Sequence, residues 1–144
     1  AALIRCESYN QQEGDRTVGE ACAWVCCSDQ LISPGMTVAI KDKVLMNKNP
    51  AAFTTTHPAV IEAVAKQVRA LGATAVIGDS PGGPFTPALV HGVYRTCGME
   101  QAAENAGAVL NEEYARTIHA DHYTADAMAT VELLERIIPI KTRQ

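Results

Sequence analysis

Two loops of this chain contain residues that could bind or transform a small ligand. They are residues 41–58 and residues 79–87, and together they supply an amine, an imidazole, a carboxylate, hydroxyls and glycine backbone. Lysine and histidine are the groups able to exchange a proton or to meet a negative charge. The candidate catalytic residues are Lys41 and His57, and the candidate ligand-binding residues are Thr55, Thr56, Asp79, Ser80, Gly82 and Gly83.

These residue types predict a small anionic or phosphorylated ligand. Each loop ends at a predicted helix N-terminus, where unpaired N–H groups carry about half a positive charge. Lys41 would add a full positive charge, and the hydroxyls could donate hydrogen bonds. Gly82 and Gly83 would allow the backbone to approach the ligand closely.

Each of these residues also has a structural alternative. Thr56 or His57 could cap the helix that begins at Pro58, and Asp79 could cap a turn. Gly82 and Gly83 could form a tight turn without a ligand, because their surroundings match neither GxGxxG nor GxxxxGK[ST]. The residues alone leave both interpretations open.

Alternating strands and helices must position the two loops. Short apolar runs predict strands at residues 3–7, 36–40, 73–77 and 108–110. Helical spacing and capping signals predict helices from Asp15 to about Ser28, from Pro58 to Gly72, from Pro87 to Gly98, and up to Ala106. We therefore expect an α/β fold: a single Rossmann-like domain with a mostly parallel sheet and helices on both faces. In such a sheet both loops face one crevice.

Length and composition favour one domain over residues 1–144. Residues 111–125 lack a clear period, and residues 128–140 form an apolar C-terminal element that could be a helix or a strand. A formal charge of −4, without a basic cluster, argues against nucleic acid as a partner. We expect no membrane span and a cytoplasmic protein, because no apolar run approaches about 20 residues and the first residues lack signal-peptide features.

The cysteines and histidines predict no metal site. Cys22, Cys26 and Cys27 form no Cys-x-x-Cys pair, and Cys22 belongs to an apolar helical stripe. His119 and His122 stand in an irregular polar segment. An odd set of five cysteines in a chain that can build a core favours reduced thiols.

Several separated motifs together resemble a known family. They are residues 2–9, 34–41, 55–58, 77–84 and 93–99. In order and spacing they are similar to the N-terminal region of the proteins that share domain of unknown function 362, over about residues 1–110. Lys41 and His57 match the family's pattern. Two segments depart from it: Lys41-Asp42-Lys43-Val44 replaces a common Lys-Pro-Asn-Leu, and Cys26-Cys27 stands where glycines are usual.

The resemblance implies an association with iron–sulfur and redox proteins, because many members carry a ferredoxin-like cluster segment. That segment is not found here, since no Cys-x-x-Cys-x-x-Cys run occurs, and the cofactor is therefore left unassigned. Our first hypothesis is a ligand-binding α/β domain related to such proteins, and whether it is an enzyme is left open. The alternative is a non-catalytic accessory or assembly module without its cluster-binding half, working as a homo-oligomer or with a cluster-bearing partner.

Overall fold

A computed structural model describes residues 3–25, 31–79 and 87–110. Over these ranges an initial helix is followed by alternating strands and helices. The α-helices are α1 (Gln11–Val25), α2 (Pro58–Ala70), α3 (Pro87–Thr96) and α4 (Met99–Ala106), with a short 3₁₀ helix at Pro50–Ala52; the strands are β1 (Thr37–Lys41), β2 (Thr74–Gly78) and β3 (Val109–Leu110).

The described strands form one parallel sheet in the order β1-β2-β3. Lys41 pairs in register with Gly78, so the carboxyl ends of β1 and β2 lie side by side. Ile77 of β2 pairs with Leu110 of β3. This arrangement confirms the predicted α/β fold, and it brings the loops that follow β1 and β2 to the same edge of the sheet.

The hydrophobic core lies on one face of this sheet. Side chains at alternate strand positions share a face, and Val38, Ala75, Ile77 and Leu110 belong to the same core cluster. Helices α2, α3 and α4 contribute the other side of the core through Ile61, Ala65, Val68, Val93, Tyr94, Cys97, Met99, Ala103 and Ala106. When right-handed crossovers add successive parallel strands in one direction across a sheet, their helices lie on the same face. Helices on the second face therefore stay a prediction.

Proline and glycine set the helix boundaries as the sequence predicts. Pro58 occupies the first turn of α2, where its missing N–H costs no hydrogen bond. Gly72, Gly98 and Gly107 all have positive φ just beyond a helix, a conformation that glycine adopts without strain. Gly98 also approaches Pro58 closely, because a Cβ built there would lie 3.1 Å from the proline Cγ.

Replacing Gly98 by alanine should therefore lower the free energy of unfolding by about 1–2 kcal/mol, the usual cost of a left-handed L-residue. Gly98 has φ +80. Gly92 provides the control: it lies within α3, and a Cβ there would meet nothing within 4 Å. Gly92→Ala should stabilise the fold by roughly 0.5–1 kcal/mol. Urea denaturation of both variants measures the difference, and equal effects would contradict the assigned backbone conformation.

The predicted strand at residues 3–7 is wrong. Residues 3–10 form no helix or strand, and Leu3 is fully exposed. The Glu7 N–H, which a strand would direct to a neighbouring strand, donates instead to Glu13 Oε1 at 2.9 Å. Leu3 and Ile4 are the only aliphatic side chains in this short run, too few to bury it against the sheet.

The first helix begins earlier than its predicted N-cap. α1 starts at Gln11, and Asn10 Oδ1 accepts from the backbone N–H groups of Gln12 and Glu13 at 3.0 and 3.4 Å. Asn10 is therefore the cap, while Asp15 forms an ion pair with Lys66 of α2 at 2.9 Å. The predicted end near Ser28 lies outside the described residues.

Helical spacing predicts one apolar stripe on α2 that includes Val60, Ile61 and Val68, and an i,i+4 ion pair of Glu62 with Lys66 on the other face. Ile61 and Val68 are buried as expected, whereas Val60 is exposed, so the stripe is partly wrong. Glu62 pairs with Lys66 at 2.7 Å, which confirms that ion pair, but Glu62 is itself buried and accepts a hydrogen bond from Asn105 Nδ2 of α4. The helix packs against α1 and α4 as well as the sheet, so more of its circumference is covered than a surface helix would show.

Several predictions fall on residues that the structure does not describe. They concern Ser80, Gly82, Gly83, Thr86, Cys26, Cys27, the histidines at 119 and 122, and the C-terminal element of residues 128–140. Among the helices of the described ranges, none combines the length and the hydrophobicity that crossing a membrane requires.

Candidate functional site

Lys41 and Asp79 meet at the carboxyl edge of the sheet. Lys41 is the last residue of β1, and Asp79 directly follows β2. The lysine Nζ lies 2.7 Å from Asp79 Oδ1 and also donates to the Asp42 carbonyl at 3.3 Å. Asp79 Oδ2 accepts from the Val44 N–H at 2.8 Å. The Asp79 carboxylate thus joins the ends of two neighbouring strands.

Tyr94 of α3 fixes the backbone at this point. Its hydroxyl donates to the Asp79 carbonyl at 2.7 Å and accepts from the Asp79 N–H at 2.9 Å. Tyr94 is buried, with 3% of its surface exposed. A core side chain therefore determines where the chain leaves β2, and Tyr94 is not among the site residues predicted from the sequence.

Asp42 is the buried acidic residue of this edge, and sequence analysis did not select it. It is 6% exposed, and neither carboxylate oxygen has a hydrogen-bond partner in the structure. Burial, and then the negative charge of Asp79, raise the pKa of Asp42 to about 6, although the residue's own backbone N–H dipole and then the charge of Lys41 act in the opposite direction. The available signal was an acidic residue directly after β1, where the resembled family commonly has proline.

The threonines lie in the segment that closes beside Asp42. The Thr56 N–H donates to the Lys43 carbonyl at 3.0 Å, and the Lys43 N–H donates to Thr56 Oγ1 at 3.2 Å. The Oγ1 atoms of Thr54 and Thr55 are buried and, like the Asp42 oxygens, have no hydrogen-bond partner in the structure. Two adjoining segments therefore contain four buried oxygen atoms that are not satisfied.

His57 caps α2, which was the structural alternative to a catalytic role for this residue. Its Nδ1 accepts from the Ala59 N–H at 3.2 Å, and its ring stacks on Tyr9 with centroids 3.7 Å apart. Burial lowers the pKa of His57. While this cap is in place, a ligand could meet only Nε2, so the catalytic assignment stays a prediction.

The N-terminus of α2 is less available to an anion than the sequence suggests. The Ala59 N–H is bonded to the His57 ring, and the Val60 N–H donates to the His57 carbonyl at 3.0 Å. Beside it the edge carries two carboxylates, Asp42 and Asp79. In the described residues this edge therefore offers hydrogen-bond acceptors as well as the positive charge of Lys41.

A cavity of about 380 Å³ lies elsewhere, between residues 3–10 and the first turns of α1 and α2. Its lining is mainly apolar and comprises Cys6, Glu7, Ser8, Tyr9, Gly14, Thr17, Val18, Ala59 and Val60. Of the cysteines in the described ranges, Cys6 is exposed, Cys22 partly exposed and Cys97 buried. No three histidine, cysteine or acidic side chains of those ranges come together as a metal-binding group.

Comparison with known proteins identifies the family. A family model described as domain of unknown function matches residues 38–137, which is more than half of the chain. The match begins and ends later than the region of about 1–110 expected from the motifs, and it includes Lys41, Asp42, His57 and Asp79. No curated protein and no solved structure matches the chain. The chain therefore belongs to the family of domain of unknown function 362 (DUF362).

Proposed function

We propose that this chain is a domain that binds a small hydroxylated phosphate ester at the carboxyl edge of its parallel sheet. The site is formed mainly by residues 42–57, which we term the β1–α2 loop. The observation that carries the proposal is Asp42, a buried carboxylate whose oxygens have no hydrogen-bond partner in the structure. Crevices at the carboxyl ends of parallel strands are where α/β domains bind their ligands.

An unpaired buried carboxylate is costly for the fold by itself. Leaving a buried polar group without a hydrogen bond costs roughly 1–3 kcal/mol, and more for a charged group. Costs of this kind tend to occur where function requires them. A ligand that donates hydroxyl hydrogen bonds to Asp42 would satisfy it, and Thr54 and Thr55 could share the same hydroxyl groups as donors or acceptors.

The rim of the site supports an anionic group on the same ligand. The side chain of Lys41 is 78% exposed despite its contacts with Asp79 and the Asp42 carbonyl, so its ammonium group can donate to a third acceptor. Lys43, also exposed, lies two residues further along the β1–α2 loop. We place the phosphate beside these lysines and the hydroxyl groups against Asp42, because the negative charge of Asp42 would repel an anion.

A ligand panel tests the proposal on the full chain. Ribose 5-phosphate and glycerol 3-phosphate would be compared with ribose and inorganic phosphate by thermal shift and calorimetry at pH 7.5. At 100 times its Kd, a ligand should stabilise the fold by about 2.7 kcal/mol. We expect binding of at least one ester, and weaker binding of the two partial ligands.

Asp42→Ala should reduce the affinity for the bound ester roughly 10- to 100-fold, the usual effect of losing hydrogen bonds to a charged group. Glu104→Gln is the matched control, because Glu104 is an exposed carboxylate of α4 away from the site. The affinity of Glu104→Gln for the ester should stay within twofold of the wild-type affinity. Equal affinity of wild type and Asp42→Ala, or no binding of either ester, would contradict the proposal.

A further inference from the structure

We propose that His57 is a proton-sensitive latch for the β1–α2 loop. As a neutral ring it caps α2 and keeps the loop, which includes Asp42, in its closed form; as an imidazolium it releases the helix end and allows the loop to open. This inference rests on the proposed function, since it concerns access to the same site.

A ligand can reach the Asp42 carboxylate only after a local rearrangement, because this residue is 6% exposed. The oxygens of Asp42, Thr54 and Thr55 are all buried in the structure. The loop is held at its carboxyl end by the paired hydrogen bonds of Thr56 with Lys43 and, at the next residue, by the His57 cap. Releasing the cap therefore loosens the residue adjacent to the closing pair.

Protonation acts directly on the cap. Nδ1 accepts the Ala59 N–H through a lone pair, and in the imidazolium both ring nitrogens are donors. The proton would thus place two N–H groups against each other. It would also place a positive charge at the positive end of the α2 dipole. Both effects disfavour the capped position.

Tyr9 provides the ring with a partner when the cap is lost. The two rings are nearly parallel, at an angle of 12°. The face of a tyrosine ring attracts a cation, so the stack is retained or strengthened in the imidazolium form. Protonation therefore changes the main partner of His57. The neutral ring binds the N-terminus of α2, whereas the imidazolium binds Tyr9, on the segment that precedes α1.

The charged groups on the neighbouring elements do not compete for this proton. Glu7 pairs with Arg5 at 2.7 Å, and hydrogen bonds from Glu7 N–H and Ser8 lower the pKa of Glu13. In α1, burial would raise the pKa of Asp15, but hydrogen bonds from Lys66 and Gln11 lower it overall. Lys43 lies on the loop and is exposed. Burial lowers the pKa of His57.

Asp42 titrates in the same range with the opposite effect. Its pKa of about 6 means that acid neutralises it and makes the closed loop more favourable. Asp42→Asn removes this second titration, so the latch is best measured in that background, with and without His57→Asn. Asparagine is a good helix N-cap that does not titrate in this range.

Hydrogen exchange without ligand tests the latch, so its failure is separate from a failure to bind ligand. Protection factors of the Thr56 and Ala59 amides should fall roughly fivefold between pH 7.5 and pH 5 in Asp42→Asn, the factor expected for loss of a cap. They should change less than twofold in the double variant, and the Ala102 amide of α4 should be constant in both. Unchanged protection in Asp42→Asn, or an equal fall in the double variant, would overturn the proposal.

Discussion

Asp42→Asn is expected to raise the free energy of unfolding by about 3 kcal/mol at pH 8, a large gain for a single substitution. In the folded chain the pKa of Asp42 is about 6, against an ordinary value of 3.8. Each unit of difference corresponds to about 1.4 kcal/mol between the two protonation states. The cause is burial without a hydrogen-bond partner, together with the negative charge of Asp79.

The sign of the pH dependence follows from the raised pKa. Between pH 3.8 and about 6 the folded state holds a proton on Asp42 that the unfolded state has lost. Wild type is therefore favoured by this group below pH 3.8, and it loses that stability as the pH rises through 6. The asparagine variant does not titrate, so the two proteins should differ little at pH 3.8 and most above pH 7.

Urea denaturation across this pH range measures the difference. Glu104→Gln removes an exposed carboxylate of α4 and should change the free energy of unfolding by less than about 0.5 kcal/mol at every pH. If wild type and Asp42→Asn had the same free energy of unfolding at pH 8, the result would contradict the burial of an ionised, unpaired Asp42.

Asp42 is thereby expected to act in opposite directions on stability and on ligand binding. Removing its charge should stabilise the empty protein, whereas removing its side chain should weaken binding of the proposed ester. Ligand sites commonly combine a structural cost with a functional gain. If a substitution of Asp42 changed neither quantity, the carboxyl edge would lose its principal candidate.

Tyr94→Phe is expected to lower the free energy of unfolding by about 2–4 kcal/mol. The hydroxyl satisfies both the N–H and the carbonyl of Asp79, at 2.9 and 2.7 Å, from a position that is 3% exposed. Each hydrogen bond lost at such a partly buried backbone position costs roughly 1–2 kcal/mol. Phenylalanine retains the ring in the core, so the change reports on the two hydrogen bonds.

Tyr9→Phe is the matched control for this prediction. Tyr9 is 54% exposed, and phenylalanine preserves its ring contact with His57. Its effect on unfolding should stay within about 0.5 kcal/mol. Chemical denaturation of the two variants separates the cases, and a Tyr94→Phe protein as stable as wild type would show that water replaces both hydrogen bonds.

Loss of the Tyr94 hydroxyl should also affect the site. The Asp79 carboxylate binds the Lys41 ammonium and the Val44 N–H, and the Asp79 carbonyl accepts a hydrogen bond from the Tyr94 hydroxyl. A less restrained Asp79 would orient Lys41 less well. We therefore expect weaker ester binding in Tyr94→Phe even at temperatures where the variant is fully folded.

The sequence by itself determined the order of the elements and most of their boundaries. Pro58 begins α2, while Gly98 and Gly107 end the helices before them, because proline φ and left-handed glycine act locally. The parallel alternation likewise placed Lys41 at the end of β1, beside the end of β2. These features depend on neighbours within a few residues, or on a connection rule that applies to any such sheet.

The failed local predictions share a physical cause. Residues 3–7 have the apolar start of a strand, yet Glu13 rather than a neighbouring strand takes the Glu7 N–H. Glu62 has the helical spacing of a surface ion pair, yet α4 covers it. In each case a residue distant in sequence decides the outcome, and periodicity within one segment contains no information about that residue.

The chemistry of the carboxyl edge was decided by tertiary structure alone. Asp42 differs from any other aspartate only through its burial and the approach of Asp79, 37 positions further along the chain. Likewise, His57 became a capping residue stacked on Tyr9 because the chain before α1 returns to the start of α2. Residue type and spacing determined which groups could react. Their charge and their partners were decided by the tertiary structure, because burial removes water and because distant segments come into contact.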